Sequence, residues 1–477
     1  MTSTEIQLIS LFQTKFGVEP SEIERLPLSG SNREYYKISS PNAVCVGTYG
    51  NQVKENEAFI SFSNSLKKAE LPVPEILAVS DDKLYYLQTY IEGVSLFDYL
   101  EKHRLSDGSP DNTTIDLYKK TLRVLPKFQT QGVKYIDFDK CFPRKRFDSQ
   151  SIMWDLNYFK YYFLKTTHTV FDEQLLENDF QTLTEYLCTA DSEYFLYRDF
   201  QSRNIMVTPE GDVKFIDYQG GRKGALQYDI ASLLYDGKAA IPPEVRIELL
   251  DYYINELKKY ITFDEKAFRD MFAAFAYVRI MQACGSYGYR GFLEKKPHFL
   301  ASIAPAMKNL KYLLEYQKLP IEIPHLEKCL VDLTESKFLK QFEGKKTVLT
   351  VTVGSFSYRK GLPYDPSGNG GGFIFDCRAI HNPGRYEEYK GFTGKDQPVI
   401  DFFKKEPEMA EFVSLTQSIV KISIEKYIKR MFANLSVYFG CTGGQHRSVY
   451  CAERMAEFIR KNYPEVNVVL IHREQDK

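Results

Sequence analysis

Residues 194–221 read YFLYRDFQSRNIMVTPEGDVKFIDYQGG, and the spacing of their oxygen-bearing side chains decides the fold. Asn204 is followed by apolar IMVT, the turn PEGD, apolar VKFI and then Asp217. Two four-residue strands around a four-residue turn make a hairpin whose mirror symmetry sets Asn204 opposite Asp217. Opposed residues have Cβ atoms about 4.5–5.5 Å apart, near enough for both side-chain oxygens to reach one hard cation, and such ligands suit Mg²⁺. Asp199 lies five residues before Asn204, on the loop leaving YFLY, placed to accept a proton from a nucleophilic hydroxyl. Singly, Asp and Asn are common turn and cap residues. R-D-x-x-x-x-N with I-D one hairpin later is a far narrower pattern.

Outward from this segment, 477 residues predict two to four domains. Hydrophobic residues make up 43% and charged residues 26%, enough apolar material for several cores and too little charge for disorder. Lys and Arg number 62 against 63 Asp and Glu, so no global charge calls for a nucleic-acid or membrane partner. The eight cysteines are scattered, with no CxxC pair, and read as reduced thiols. The N-terminus lacks a secretory pattern, and the most apolar stretch, FAAFAYVRIMQACG, is broken by Arg279 and too short to span a bilayer. A cytoplasmic protein is expected.

The first hundred residues alternate strand-like runs with turns around the helical ENEAFISFSNSLKKA, which predicts a small mixed sheet. Helical periodicity fills 94–190 and 225–318, on either side of the hairpin. QKLPIEIPH and a polar run mark a boundary near 317–346. The remainder reads strand, strand, helix, strand, helix, strand, an independent α/β domain.

YRDFQSRNIMV followed by FIDYQGG resembles the catalytic and metal-binding segments of the aminoglycoside phosphotransferase and choline kinase family, which shares the protein-kinase fold. RDFQSRN, IDYQ and QYDIASLLYD look most like bacterial sugar kinases acting on N-acetylmuramate and N-acetylglucosamine. The resemblance covers about residues 1–320. It implies an α+β bilobal kinase-like fold, with an N-lobe over 1–92 and a helical C-lobe over 93–320, that uses ATP and Mg²⁺. By it, Asp199 is the catalytic base, Asn204 and Asp217 hold the metal, and Asp229 is a buried structural acid. Ser29, Gly30 and Ser31 of SGSNREYYKIS lie near the triphosphate, and Gln88, Thr89 and Tyr90 form the hinge that holds adenine. One departure stands out: Val44, Val46 and Thr48 occupy the strand where many such kinases carry a phosphate-binding lysine. Lys37 or Lys54 is left as a substitute; if neither serves, the chain is a slow kinase or a nucleotide binder without turnover.

Near the C-terminus, the strand NLSVYFG, the turn CTGGQ and the helix HRSVYCAERMAEFIRKN set free N–H groups beneath any ligand above the helix start. Gly443 and Gly444 permit close approach, and His446, Arg447 and Ser448 add donors. The same words also fit a tight connection with no ligand, but Arg and His in the first turn oppose the helix dipole, which favours an anion. From SFSYRKGLP through FIFDCRAIHNPGRYEEYKGFTGKDQPV to GCTGGQHRSVYCAE, the region resembles the RapZ C-terminal domain. That family's domain binds glucosamine-6-phosphate, which implies a site built from Thr442, Gly443, Gly444, His446 and Arg447, with Asp376, Arg378 and Asn382 nearby. Asp376 and Arg378, two apart on a strand, share a face. A linker over 321–345 and a RapZ-like α/β domain over 346–477 complete the organisation.

RapZ-like domains self-associate, so a homo-oligomer is expected from the resemblance. RNA is not called for: residues 341–477 hold 20 basic against 16 acidic side chains. A rival chemistry is cysteine-dependent phosphoryl transfer, since Cys441 to Ser448 reads C-x-x-G-x-x-R-S. The expectation is therefore an ATP-dependent kinase for a sugar or amino-sugar hydroxyl, with a C-terminal reader of a sugar phosphate. Its alternative is a nucleotide- and metabolite-sensing regulator.

Overall fold

Thr2 opens the first helix, α1 (Ser3–Phe16), with a reciprocal cap: its side chain accepts the Glu5 N–H while the Glu5 carboxylate accepts the Thr2 N–H. Gly17, at φ 71°, ends it. Leu8 and Phe12 of α1 pack on one face of a five-stranded sheet formed by β1 (Glu22–Arg25), β2 (Glu34–Ser40), β3 (Ala43–Tyr49), β4 (Ile76–Val79) and β5 (Tyr85–Thr89). The order is β1-β2-β3-β5-β4 and every neighbouring pair is antiparallel. The expected mixed sheet is thus corrected. The helix α2 (Val53–Lys68) carries the chain from β3 to an outer position, and β5 returns between β3 and β4, antiparallel to both.

Alternation along these strands sorts the side chains. Tyr36, Ile38, Cys45 and Leu87 are buried against α1. The opposite face carries Tyr35, Thr48 and Tyr86 in one row of partners, and Lys37, Val46 and Gln88 in the next.

The computed structural model describes residues 1–26, 33–294, 296–340, 342, 349–363, 372–429, 432 and 434–475. Its chain divides into two units, 1–285 with 304–340 and 286–303 with 341–477. In the first, the sheet is followed by β6 (Val94–Ser95), α3 (Leu96–Lys102), α4 (Asn112–Thr130), α5 (Ser149–Phe159) and α6 (Glu173–Leu187). Then come β7 (Tyr194–Leu196), β8 (Ile205–Val207), β9 (Val213–Phe215), β10 (Arg222–Gly224), α7 (Leu226–Leu234), α8 (Pro243–Leu257) and α9 (Glu265–Tyr287). Residues 321–345, read from sequence as a linker, include the helix Pro324–Glu335, which buries Leu326, Cys329, Leu330 and Leu333. The Leu326 N–H donates to Asp179 of α6 over 2.7 Å. The proline taken as a break stands at the first turn of this helix, where its missing N–H has no partner to lose.

In the second unit four parallel strands, β11 (Thr350–Ser357), β12 (Gly372–Asp376), β13 (Asn434–Cys441) and β14 (Asn467–His472), lie in the order β12-β13-β11-β14. Val351, Val353, Val437 and Phe439 bury against the helices Pro407–Lys429 and Arg447–Asn462. Ser357 and Cys441 are register partners at the carboxyl ends of β11 and β13, where open parallel sheets place ligands. All eight cysteines are free, and among the described residues no helix is long and apolar enough to cross a membrane.

Candidate functional site

The hairpin of β8 and β9 has a register one residue away from the sequence expectation. Ile205 pairs with Phe215, Met206 with Lys214 and Val207 with Val213. The Thr208 N–H donates to the Asp212 carbonyl over 2.9 Å, which leaves a three-residue loop ending at Gly211, φ 79°. Glycine in the left-handed region permits this loop, and an odd loop length moves every pairing by one. Asn204 therefore faces Ile216, whose N–H it accepts at 3.0 Å, and Asp217 falls one step beyond. Asp217 itself turns to φ 70°, a conformation Asp tolerates better than most residues.

The three side chains are nevertheless brought together. Asn204 is buried, and its Nδ2 donates to the Asp199 backbone carbonyl over 2.8 Å. Because a carbonyl only accepts, the amide nitrogen must take that side and Oδ1 is turned away from the loop. Asp217 Oδ1 accepts from Gln219 Nε2 over 2.7 Å. Burial first and the Asp199 charge second raise the Asp217 carboxyl above the usual range, with Gln219, Arg203 and Arg33 acting in opposition. Asp199 is half-buried, and a β-carbon on Gly220 would stand 3.4 Å from its Oδ2.

A rigid base supports this loop. The N–H groups of Tyr197 and Arg198 donate to the Asp229 carboxylate at 2.8 and 3.0 Å. Asp229 is fully buried, and burial pushes its carboxyl up to about 7 against those same hydrogen bonds. Arg198, at φ 79°, grips Asp155 of α5 through both terminal nitrogens at 2.8 Å and lies over the rings of Phe147 and Tyr228.

In the segment read from sequence as the hinge, Gln88 Oε1 is buried and meets no hydrogen-bond donor among the described residues. Thr89 is committed to the sheet edge: its N–H donates to the Glu75 carbonyl and its hydroxyl accepts the Glu75 N–H, both at 3.0 Å. Tyr90 presents its ring to Lys37 Nζ, 4.8 Å from the centroid. Lys54 is exposed. Ser29, Gly30 and Ser31 lie outside the described residues. No cluster of three His, Cys, Asp or Glu side chains arranged for a metal occurs among the described residues.

In the second unit Thr442, Gly443 and Gly444 turn from β13 towards the helix at Arg447, and the Ser357 hydroxyl donates to the Thr442 carbonyl over 2.7 Å. Arg447 and His446, read from sequence as anion donors, also have partners within the protein. Arg447 Nη1 donates to the Arg378 and Ile380 carbonyls, each at 2.8 Å, and the His446 ring bonds the Tyr389 carbonyl at 2.9 Å. Arg378 does not share a strand face with Asp376, because β12 ends at Asp376. It folds back to grip the Asp376 carboxylate, holding it below the usual range, and lies 4.1 Å over Tyr358. The Asn382 side chain caps its own turn, accepting from the Gly384 N–H. Cys441 Sγ meets the Gly444 N–H at 3.2 Å and the Ser448 hydroxyl at 3.1 Å.

A profile of the phosphotransferase enzyme family matches residues 22–265, just over half the chain and all of the site around Asp199. The chain belongs to that family. A second profile, the RapZ C-terminal domain, matches residues 349–476. Among curated relatives, a nucleotide-binding protein of Thermodesulfovibrio yellowstonii is 34% identical over 142 residues, 29% of this chain and 48% of the relative. One from Cereibacter sphaeroides is 40% identical over 110 residues, 23% of this chain and 35% of the relative. The chain thus spans about half or less of these relatives' length. Among solved structures, the choline kinase of Cryptosporidium parvum is 14% identical, covering 69% of this chain and 100% of its own, with a TM-score of 0.46. A spectinomycin phosphotransferase solved with ADP and spectinomycin is also 14% identical, covering 69% and 98%, with a TM-score of 0.43.

For the phosphotransferase domain, membership carries the kinase-like fold; the C-terminal RapZ domain is the separate α/β unit. Sequence reasoning missed Asp155, although a charged residue on the apolar helical face of Ile152, Leu156 and Phe159 was a signal available. It also missed Ser357 and Glu474 beside the glycine turn, which arrive from strands far apart in the chain. The Glu474 carboxylate pairs with Lys360 and accepts the Ser357 N–H at 3.4 Å.

Proposed function

We propose that the phosphotransferase domain moves the γ-phosphoryl group of ATP to a hydroxyl of a sugar or amino sugar, and that the RapZ domain binds an amino-sugar phosphate. The observation that carries the first half is the Asn204 bond to the Asp199 carbonyl, which fixes the base loop and leaves Asn204 Oδ1 and Asp217 as oxygen ligands. Those two residues would hold Mg²⁺, which supplies charge neutralisation at the phosphates. The buried, unsatisfied Gln88 Oε1 fits a nucleotide base at the hinge.

Asp199 accepts the proton of the acceptor hydroxyl as that oxygen bonds to the γ-phosphorus. The bond from phosphorus to the bridging oxygen breaks and ADP leaves with that electron pair. Arg198 holds the loop in place through Asp155, and Asp229 fixes the backbone on which Asp199 stands. Gly220 keeps the space beside Asp199 open to the acceptor. For the second half, the amides of the turn at Gly443 and Gly444 support an anion, while Asp376 and Glu474 are carboxylates of the kind that would meet an ammonium group.

The test is single-turnover transfer from labelled ATP, using the full chain and a panel of neutral sugars, amino sugars, aminoglycosides and choline-like alcohols. Phosphorylation of a sugar or amino sugar that disappears in Asp199→Ala supports the reading. Transfer only to the other alcohols, or none with ATP bound, removes it.

A further inference from the structure

We propose that Arg33, and not a lysine, is the cation that grips the nucleotide's phosphates, with Glu55 of α2 as its positioning partner. This rests on the kinase reading above and names the residue that performs the role left vacant on β3.

The face of the sheet opposite α1 has two ends. At one, Lys37, Gln88 and Tyr90 stand together, with the ammonium of Lys37 on the Tyr90 ring. That is the hinge end, so Lys37 stands where a base belongs. Arg33 is four residues earlier, about 13 Å along an extended chain and in phase with Tyr35 and Lys37. It is 3% exposed. Its guanidinium lies 5.9 Å from the centre of the Phe59 ring and 3.6 Å from Glu55 Oε1. Phe59 in turn stacks on Tyr218 at 5.0 Å, and Tyr218 follows Asp217. Arg33 is thus connected through one ring pair to the side chain that would carry the metal, and its charge acts on that carboxyl. The adenine end and the Asp217 end of one surface are each supplied with a cation.

Kinases of this fold pair a strand lysine with a glutamate on the following helix, the lysine meeting the α- and β-phosphates. Here Glu55 keeps the helical half of that pair. Thr48 takes the strand position and is buried, too short to reach a phosphate. Arg33 approaches from the residue before β2 instead, and its longer, forked side chain suits phosphate oxygens. Lys54, one residue before Glu55, is exposed.

The experiment measures binding of ATP, ADP and adenosine to the full chain carrying Asp199→Ala, by calorimetry with Mg²⁺ present. Into this background are placed Arg33→Ala, Arg33→Lys, Glu55→Gln and Lys37→Ala. Arg33→Ala is expected to weaken ATP and ADP at least tenfold while adenosine is unchanged, with Arg33→Lys recovering part of the loss and Glu55→Gln falling between. Lys37→Ala is expected to spare the preference for ATP over adenosine. A merely structural arginine would affect all three ligands alike, and that result overturns the inference. If Arg33→Ala does not fold, unchanged ATP affinity in both Arg33→Lys and Glu55→Gln overturns it equally. An Asp199-intact chain that binds ATP through Arg33 yet phosphorylates no acceptor sinks the kinase reading and leaves this assignment standing. A chain that binds no nucleotide sinks both.

Discussion

The hydroxyl of Tyr218 lies 2.6 Å from Ser63 Oγ, so the residue after Asp217 is tied to the helix that carries Glu55. The Ser63 hydrogen is already given to the Phe59 carbonyl at 2.8 Å, which makes Tyr218 the donor in the pair. Tyr218→Phe should therefore cost about 1 kcal/mol, the loss of one buried hydrogen bond. Tyr218→Ala also removes the ring stacked on Phe59 and should cost about 3–5 kcal/mol. Urea denaturation of both variants checks the order, and equal losses would contradict it.

In the proposed reaction Asp199 is the base, and Asn204 and Asp217 are the metal ligands. Asp199→Asn should lower kcat by roughly 100- to 10,000-fold, the range for removal of a general base, without changing ATP affinity. Asn204→Ala and Asp217→Asn should instead raise the Mg²⁺ concentration needed for half-maximal rate. Rate measurements across a magnesium titration separate the two outcomes.

Much of this site was legible because its residues are local. Asp199, Asn204 and Asp217 fall within one strand, loop and hairpin, so an error of one in register still leaves them near one another. The register was misread because apolar runs mark strands without saying where a turn closes, and Gly211 chose a three-residue loop. Arg33 was passed over for the opposite reason. Its partners Glu55 and Phe59 come from α2 and Asp217 from the end of the hairpin, and only folding shows that the residue before β2 points to them. At the second site, spacing alone cannot reveal that the carbonyls of Arg378 and Ile380 lie within reach of Arg447.

Asp229 gives a pH dependence with a definite sign. Its carboxyl is pushed up to about 7 by burial, against 3.8 for the ordinary group. Between those values the folded chain holds a proton that the unfolded chain has released, so this contribution is complete below about pH 4 and lost as the pH rises through 7. In Asp229→Asn the same position is neutral throughout. The wild-type chain should lose stability relative to this variant from pH 4 to pH 7, and the difference should level off above that. Denaturant midpoints across the range test it; a difference that grows in the opposite direction refutes the assignment.

The adjacent glycines of the RapZ domain differ in what they can tolerate, which separates structural need from ligand contact. Gly444 has φ 68°, and a β-carbon there would stand 2.5 Å from Glu474 Cγ and 3.0 Å from the Ser357 backbone nitrogen. The backbone clash has no rotamer to relieve it, and alanine in the left-handed region costs roughly 1–2 kcal/mol by itself. Gly444→Ala should therefore destabilise this domain by about 2–4 kcal/mol once the overpacking is added. Gly443 has nothing within 4 Å of the same position, so Gly443→Ala should leave stability unchanged. If an amino-sugar phosphate sits on the turn, the new methyl meets the ligand instead of the protein, and its affinity should fall at least tenfold. Calorimetric titration of glucosamine-6-phosphate into folded Gly443→Ala reads this directly, and wild-type affinity there would place the ligand away from the turn.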